Sequence, residues 1–399
     1  MYKIIINLMN KLFAKIFIFF IRIYQFVLSP DKWIPSFWLK WKICLHTPHC
    51  SEYSIEVFQR YWFIPWIFMV MERISSCNPW NDRPYDPSHF KVVFLSSAPI
   101  GVPFLSNLKN DSRFDVVGVV TMQDKPVGRW LQIHENIIKT TAKSLRIDDI
   151  ITPDSISPTK TDEWKQFVEW LQSKQPDFLV VIAYWKIIPK VILEIPKIAP
   201  INVHWSLLPK YRGASPIQSV FFNWETESGI TIMLMNEKMD QWNMIKLLKY
   251  ELPLDWTAKN LIEKIEQTWP KFLSDTIWDY WKWLVGSFPQ DHNIATYCTK
   301  IEKENWLIDI YNDSLETVYN KFRAYFMWPK IYFLITQNWV SKRVIIENIK
   351  LDENKYQEHK SKPLILKNNT SNLSILELSV KLEWKKLTSF DEFKKGHKI

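Results

Sequence analysis

The sequence is poor in glycine. Only 7 of its 399 residues are glycine, whereas soluble proteins contain about 7%. Tryptophan is unusually abundant at 22 residues, and the two residue types together make up 29 of 399. That joint share is close to the usual share of glycine alone, about 7%. The balance predicts that tryptophan stands at positions where the fold needs glycine.

Cysteine is also scarce, and the apolar N-terminus lacks a long uncharged run. Four cysteines in 399 residues exclude a disulfide-based scaffold. Lys15 and Arg22 enclose only six uncharged residues, whereas a bilayer-spanning helix needs about 20. No small-residue cleavage site follows, which argues against a secretory signal. The hydrophobic share of 47% nevertheless allows a buried core and excludes wholesale disorder.

A basic stripe runs along the first 29 residues. On a helical wheel Lys11, Lys15 and Arg22 fall within about 40° of one another, and isoleucine, leucine and phenylalanine dominate the other positions. This pattern predicts a helix that lies in the membrane interface with its cations toward acidic head groups. A core helix with a solvated stripe is the alternative. The net charge of +9 favours acidic lipid or RNA as partners.

A series of short motifs follows along residues 22–87. They are R-I-Y-Q at 22–25, S-P at 29–30, C-L-H-T-P-H-C-S-E-Y at 44–53, R-I-S-S-C-N-P at 73–79 and D-P at 86–87. The series resembles the YidD-type membrane protein insertion efficiency factors along nearly their whole length. The resemblance implies a small, mainly α, membrane-associated module at the cytoplasmic face, as an accessory to protein insertion.

Three of the four cysteines lie in this module. Cys44, Cys50 and Cys77, together with His46, offer thiolate and imidazole groups, which are the ligands that zinc prefers. Their spacing differs from the standard zinc motifs, and packed or redox-active thiols are the alternative. We therefore predict no metal.

The chain changes character at residue 90. No methionine lies between Met71 and Met122, so we interpret the two parts as a fusion. Beyond the boundary, apolar runs alternate with helical segments, which predicts a parallel sheet with helices on both faces. These runs are at 91–95, 114–121, 178–183 and 201–203. Further short β-rich stretches predict a small OB-like barrel; they are at 331–334, 344–349, 363–367 and 373–378. The predicted domains are the N-terminal module at 1–89, an α/β domain at 90–285, a linker at 286–304 and a C-terminal domain at 305–399.

A polar motif follows the run at 201–203. It reads I-N-V-H-W-S-L-L-P-K-Y-R-G at 201–213, with S-G-I-T-I-M at 228–233 and M-D at 239–240 downstream. Asn202 and His204 are two residues apart, so both side chains project from the same face of a strand. An asparagine amide can donate a hydrogen bond to a developing oxyanion, and an imidazole can move a proton near neutral pH. A satisfied strand end is the alternative for an isolated Asn-x-His.

These motifs together resemble the folate-dependent formyltransferases, and the resemblance spans residues 90–399, the full length of a methionyl-tRNA formyltransferase. It implies a Rossmann-like sheet, 10-formyltetrahydrofolate as co-substrate, and an aspartate that orients the histidine and favours its charged form. The catalytic residues that it implies are Asn202, His204 and Asp240. The residues that it implies as a wall of the folate pocket are Ser206, Leu207, Leu208 and Pro209.

Two further segments indicate the acceptor. Q-D-K-P-V-G-R at 123–129 resembles the basic loop that methionyl-tRNA formyltransferases insert after their second strand. Lys125 and Arg129 are therefore candidate contacts to acceptor-stem phosphates, with a solvated surface loop as the alternative. Residues 297–304 and 323–329 resemble the linker and second domain of that family, and a basic β-barrel is suited to RNA. We expect methionyl-initiator-tRNA as acceptor.

Two rival functions are weighed against this one. The first is a folate-dependent formyltransferase with another acceptor, such as a nucleotide sugar, and the basic loop and β-rich tail argue against it. The second is a non-catalytic membrane-assembly protein, and the intact Asn202, His204 and Asp240 argue against it. We expect a cytoplasmic enzyme, peripherally associated with the inner face of the plasma membrane and close to the insertion machinery.

Eight tryptophans stand where the two resembled families have glycine. They are Trp33, Trp62, Trp66, Trp130, Trp185, Trp205, Trp242 and Trp306. We hypothesise that UGA codons meaning glycine have been translated as tryptophan. An indole next to His204 would crowd the pocket, because glycine at such positions permits close backbone approach. Codons other than UGA at Trp185, Trp205 and Trp242 would contradict the hypothesis.

Overall fold

The structure is a computed structural model of the 399-residue chain. It describes residues 18–23, 46–61, 63–75, 87–127, 132–158, 161–337, 339–365, 372, 374–383 and 385–397. The chain forms two compact units, the first made of residues 1–90 and 111–115 and the second of residues 91–110 and 116–399. Each unit is described by itself.

The first unit is helical over most of its described residues. A helical segment at 18–23 is followed by α1 (Cys50–Tyr61) and α2 (Phe63–Ser75). Tyr53, Val57 and Phe58 are buried on one face of α1, the spacing expected of an amphipathic helix. Arg73 of α2 is 1% exposed, and its guanidinium lies 4.0 Å from the centroid of the Tyr53 ring. The small, mainly α module expected from the sequence is confirmed.

Apart from Phe90 and residues 114–115, which fall in the first unit, an α/β domain and a C-terminal β domain lie in the second unit. The strands of the α/β domain are β1 (Phe90–Ser96), β2 (Phe114–Val120), β3 (Lys125–Val127), β4 (Gln132–His134), β5 (Ile150–Ile151), β6 (Phe178–Ile182), β7 (Ala199–His204), β8 (Arg212–Gly213), β9 (Glu227–Leu234) and β10 (Met244–Glu251). Its helices are α3 (Val102–Asn110), α4 (Ile137–Ser144), α5 (Thr161–Lys174), α6 (Lys190–Leu193), α7 (Pro216–Phe222) and α8 (Ala258–Trp281). The short strand β11 (Tyr297–Cys298) follows.

The main sheet has seven strands in the order β10-β9-β7-β6-β1-β2-β5. The pairs β1–β6, β6–β7 and β2–β5 are parallel, as the alternation of strands and helices predicts. β9 pairs antiparallel with both β7 and β10. β9 and β10 follow one another in the chain and pair antiparallel, so these two strands form a hairpin rather than a crossover unit. The parallel α/β sheet is confirmed, with an antiparallel hairpin at one edge.

Apolar runs fix the centre of the sheet. All five residues of β6 are buried, and β1 has one partly exposed residue, the pattern of strands covered on both faces. α5 contributes Phe167 and Leu171 to the core on one face. α8 packs against α3, where the Asn107 amide donates to the Pro270 carbonyl at 2.9 Å.

The C-terminal domain is built on an antiparallel sheet in the order β12-β13-β14-β15. Its elements are α9 (Leu315–Tyr325), β12 (Tyr332–Gln337), β13 (Val340–Leu351), α10 (Glu353–His359), β14 (Ile375–Leu382), β15 (Leu387–Ser389) and α11 (Phe390–Gly396). The buried Arg323 of α9 donates to the carbonyls of Trp256 and Pro253 in the α/β domain. The β-rich tail expected from the sequence is confirmed as an antiparallel β sheet.

None of the helices in the described part of the chain combines the length and the apolar character needed to span a bilayer.

Candidate active site

The carboxyl edge of the parallel strands carries the candidate catalytic residues. Asn202 and His204 are on β7, where Asn202 is paired with Val181 of β6 on one side and Met233 of β9 on the other. The strand therefore fixes the backbone of Asn202 from both sides. Ligands in α/β sheets bind at this edge.

His204 is buried, with 4% of its surface exposed. Its Nε2 lies 2.8 Å from the Tyr211 carbonyl oxygen. A carbonyl oxygen only accepts hydrogen bonds, so Nε2 carries the hydrogen and the basic nitrogen of the neutral ring is Nδ1. Nδ1 lies 3.4 Å from Asp240 Oδ1. A proton taken up at Nδ1 therefore lies next to the negatively charged carboxylate of Asp240.

Asp240 occupies the turn between β9 and β10. Its φ of 53° is a left-handed conformation that is uncommon for non-glycine residues and persists only when the surroundings fix it. The backbone N–H of Gly213 donates to Asp240 Oδ2 at 2.9 Å. One carboxylate oxygen is thus anchored to β8 while the other faces His204.

The side-chain amide of Asn202 makes no hydrogen bond within the described residues, although the residue is half-buried. An unpaired amide at the ligand edge of a sheet is available to donate to a bound carbonyl oxygen. The structure thus brings His204 and Asp240 into contact and places Asn202 two residues before His204 on the same strand.

The predicted folate wall adopts a tight loop after β7. Ser206 is fully buried, and its hydroxyl donates to the Lys210 carbonyl at 2.6 Å. Leu208 is also buried and packs with Met233 and Met244. Leu207 and Pro209 are half-buried. Ser206 and Leu208 therefore hold the shape of the loop, and Leu207 and Pro209 are the two members with exposed surface.

Part of the segment predicted as a linker is hydrogen-bonded to this loop. β11 pairs in parallel with β8, and the Arg212 N–H donates to the Thr296 carbonyl at 2.9 Å. The Tyr211 N–H donates to Thr296 Oγ1 at 2.8 Å. Tyr211 supplies the carbonyl that fixes the His204 tautomer. The segment at 288–299 is therefore part of the scaffold of the site.

Sequence reasoning missed two polar residues of this scaffold. Arg212 is 1% exposed, and its guanidinium donates to Gln290 Oε1 from Nη2 at 2.6 Å and from Nε at 3.1 Å. The arginine lies inside the quoted motif at 201–213 and could have been singled out there. Gln290 carries no pattern that would have found it.

Two neighbouring groups are neutral at physiological pH. Burial raises the pKa of the Cys298 thiol, whose Sγ lies 3.5 Å from the Tyr211 carbonyl oxygen. Burial, with a smaller contribution from Glu225, raises the pKa of the Tyr211 phenol, whose hydroxyl donates to Glu225 at 2.7 Å. Neither group therefore acts as a base near neutral pH.

The candidate tRNA loop leaves the sheet at the same edge. Lys125 lies on β3, opposite His134 of β4, and Arg129 lies outside the described residues. Asn136, just after β4, donates from its amide to the Ser97 carbonyl beyond β1 at 3.2 Å. This bond ties the base of the β3–β4 hairpin to the carboxyl edge.

Two of the suspect tryptophans are near the catalytic residues in sequence. Trp205 follows His204, and its ring lies 6.0 Å from that of the buried Phe104, edge to face. Trp242, two residues after Asp240, is 44% exposed. A third suspect tryptophan, Trp185, lies in the loop that follows β6 and is 67% exposed.

The cysteine cluster of the first unit is only partly described. Cys50 begins α1 and His46 is buried, whereas Cys44 and Cys77 lie outside the described residues. Within the described ranges, no group of three metal-ligating side chains comes together.

Comparison with known proteins covers both parts of the chain. Residues 90–277 match the family described as formyl transferase, and residues 13–89 match the family described as putative membrane protein insertion efficiency factor. The methionyl-tRNA formyltransferase of Methylacidiphilum infernorum is 34% identical over 250 residues, which cover 63% of this chain and 75% of that protein. The enzyme of the same name from Caldicellulosiruptor saccharolyticus is 35% identical over 263 residues, covering 65% and 81%. A solved sugar 3N-formyl transferase aligns over 66% of this chain and 91% of its own at 18% identity and a TM-score of 0.45.

The α/β fold and the match over residues 90–277 define a formyl-transferring enzyme. The chain belongs to the methionyl-tRNA formyltransferase family. It also carries a module of the insertion efficiency factor family at residues 13–89. The fusion of these two families that the sequence motifs predict is confirmed.

Proposed function

We propose that this chain transfers the formyl group of 10-formyltetrahydrofolate to the amino group of methionyl-initiator-tRNA, with Asn202, His204 and Asp240 as the catalytic residues. The observation that carries the proposal is the pairing of His204 Nδ1 with Asp240 Oδ1 at 3.4 Å, on the strand that also holds the unpaired Asn202 amide. This arrangement suits a reaction in which a carbonyl oxygen gains charge while an amine loses a proton.

The proposed reaction is an acyl transfer. The methionyl nitrogen attacks the formyl carbon, and the electron pair of the C=O bond moves to the oxygen. The bond between the formyl carbon and N10 of the folate then breaks, N10 takes up a proton, and the methionyl nitrogen gives one up. The products are formylmethionyl-tRNA and tetrahydrofolate, with no net gain or loss of protons.

Each of the three catalytic side chains has a separate role in this reaction. Asn202 donates a hydrogen bond to the oxyanion. His204 accepts the proton of the attacking amine at Nδ1, because Nε2 is committed to the Tyr211 carbonyl. Asp240 stabilises the imidazolium that results and does not itself need to take the proton.

Replacing Asn202 with aspartate tests the oxyanion role. Aspartate has nearly the same shape but presents a negative charge to the oxyanion, so we expect kcat to fall by about 10²–10³-fold with KM values little changed. Steady-state kinetics with both substrates measures the effect. Asn354→Asp, an exposed position on α10, is the matched control. Equal rates for the two variants would remove Asn202 from the mechanism.

The folate and tRNA contacts are further parts of the proposal. Leu207 and Pro209 face the folate, while Ser206 and Leu208 support them from the interior. Lys125 and Arg129 bind phosphates of the acceptor stem. The C-terminal domain contributes a second RNA surface, supported by the exposed Arg343, whose guanidinium lies 4.9 Å from the centroid of the Tyr332 ring.

The N-terminal module places the enzyme at the inner face of the membrane, next to the insertion machinery. In the described helical segment at 18–23, Phe19 and Phe20 are 61% and 62% exposed. Lys11 and Lys15 of the predicted basic stripe lie outside the described residues. Exposed aromatic side chains, together with the basic stripe that the sequence predicts, favour the interface of an acidic bilayer. The fusion thereby formylates initiator tRNA close to the site where nascent chains enter the membrane.

Deleting residues 1–29 separates membrane binding from catalysis. We expect the truncated chain to stay in the supernatant when sedimented with vesicles of acidic lipid, whereas the full chain pellets with them. Formyl transfer should persist, because the candidate catalytic residues follow residue 200. Unchanged sedimentation after the deletion would rule out this anchoring segment.

A further inference from the structure

Gln290 lies in the segment between the two domains of the second unit, yet it contacts the turn that carries Asp240. Its side-chain nitrogen donates to the Asp240 carbonyl at 2.9 Å and to the Trp242 carbonyl at 2.7 Å. The two hydrogens of one amide thus bind carbonyls two residues apart. This pairing fixes the backbone of the turn on both sides of residue 241.

The orientation of the Gln290 amide is determined by its partners. Its oxygen accepts two hydrogen bonds from the buried Arg212 guanidinium, and its nitrogen faces two carbonyl oxygens. In the flipped orientation, the amide N–H groups would face the N–H groups of Arg212, and the amide oxygen would face the two carbonyl oxygens. Gln290 is 5% exposed, so water has little access to replace these bonds. A buried polar network of this kind is rigid when all its groups are satisfied.

The contacts form a closed ring around the turn. Gly213 donates to the Asp240 carboxylate, Asp240 accepts from Gln290, and Gln290 accepts from Arg212, which precedes Gly213 in the chain. The left-handed φ of 53° at Asp240 needs such support. Without the bonds from Gln290, the turn loses the only described side-chain contacts to its carbonyls.

We propose that Gln290 is a positioning residue for formyl transfer, which holds the Asp240 carboxylate at the distance where it stabilises protonated His204. This inference rests on the proposed function and extends it to the interdomain segment. Gln290 acts through Asp240 and does not touch the substrates. The residues between the domains thereby belong to the catalytic apparatus.

The Gln290→Glu variant tests this role selectively. Glutamate keeps an oxygen for Arg212 and adds a favourable charge to that pair, but it turns an oxygen toward the two carbonyls. The fold should therefore be retained while the turn moves. Because a displacement of about 1 Å can cost about a hundredfold in rate, we expect kcat to fall about tenfold to a hundredfold with both KM values unchanged. Gln172→Glu, exposed on α5, is the matched control.

A double-mutant cycle then separates positioning from general damage. On an Asp240→Ala background, Gln290→Glu should cause no further loss of kcat, because the residue that it positions is gone. The proposal would be overturned if the losses of kcat from Asp240→Ala and Gln290→Glu multiply in the double variant. A parallel rise of both KM values, or an unchanged kcat in the Gln290→Glu variant, would also overturn it. If Gln290→Glu fails to fold, Gln290→Asn keeps both amide functions at a shorter reach and serves in the same cycle. Absence of transfer both by the parent chain and by a version with glycine at the eight family positions would instead refute the proposed function itself.

Discussion

The His204→Gln variant should lose formyl transfer almost completely and keep its fold. Glutamine is close in size to histidine and can donate to the Tyr211 carbonyl as Nε2 does, but it cannot take a proton at the position of Nδ1. General base catalysis contributes about 10²–10⁴-fold, so we expect a fall in kcat of that order. The measurement is single-turnover formyl transfer to methionyl-tRNA, with tetrahydrofolate binding followed in parallel.

A second buried histidine provides the control for this variant. His359 on α10 is 7% exposed, and its Nδ1 lies 3.0 Å from the Lys355 carbonyl oxygen. His359→Gln removes the same chemical group from a comparable setting in the C-terminal domain. It should lower stability no less than His204→Gln and leave the transfer rate intact. Comparable losses of rate in the two variants would show that His204 has only a structural role.

Replacing two exposed tryptophans with glycine should stabilise the protein. Nine non-glycine residues of the described chain have positive φ, and three of them are tryptophans, Trp224, Trp283 and Trp339. A bulky side chain in this region of φ is a genuine outlier. None of the three is among the eight positions at which family resemblance suggests glycine, so the backbone gives separate support to the recoding hypothesis.

Each of these three tryptophans occupies a turn that favours glycine. Trp224 follows α7, where the N–H groups of Trp224 and Glu225 donate to the carbonyls of Phe221 and Val220. This is the Schellman arrangement, in which glycine is the preferred residue at the left-handed position.

The end of α8 repeats this arrangement at Trp283, where the Trp283 and Leu284 N–H groups donate to the Tyr280 and Asp279 carbonyls. Trp339 lies in the two-residue connection between Gln337 and Val340, which are paired in the β12–β13 hairpin. Such connections favour Asn-Gly, and the sequence has Asn338-Trp339 there.

Trp283 and Trp339 are the positions to test, because they are 70% and 98% exposed and contribute little by burial. A left-handed conformation costs a residue with a Cβ about 1–2 kcal/mol, so we expect each glycine substitution to raise the free energy of unfolding by about that amount. Denaturant unfolding measures it. Trp339→Ala keeps the Cβ and should give little gain. If alanine stabilises as much as glycine, backbone conformation is not the cause.

Trp224 is less suitable for this test, because its ring packs against other side chains. It stacks on Tyr356 at 5.5 Å, and the Arg323 guanidinium lies 5.8 Å from its centroid. Glycine there would relieve the backbone but remove these contacts.

The central strands were predictable from the sequence because burial on both faces leaves a continuous apolar run. The run predicted at 178–183 is observed as β6, Phe178–Ile182, all of it buried. The antiparallel pairing of β9 was not predictable in the same way. The direction of β9 depends on the path by which the chain returns to the sheet. An apolar run predicts a buried strand but does not indicate whether the strand is parallel or antiparallel to its neighbours.

The candidate catalytic residues could be proposed from the sequence because they lie in one continuous motif and one short downstream motif. The scaffold around them was not. Arg212 and Gln290 are 78 residues apart in sequence, and neither has a periodic or local signature. The left-handed backbone at Asp240 likewise follows from contacts made by distant segments. Polar networks between remote segments become visible only when the fold brings them together.

The most direct test of the account is transfer of labelled formyl from 10-formyltetrahydrofolate to methionyl-initiator-tRNA. The full chain would be compared with a version that has glycine at the eight family positions, and a nucleotide amino sugar would be offered as an alternative acceptor. We predict label on the methionyl amino group, with the glycine version the more active. Label on the sugar instead, or no transfer by either version, would contradict the proposed function.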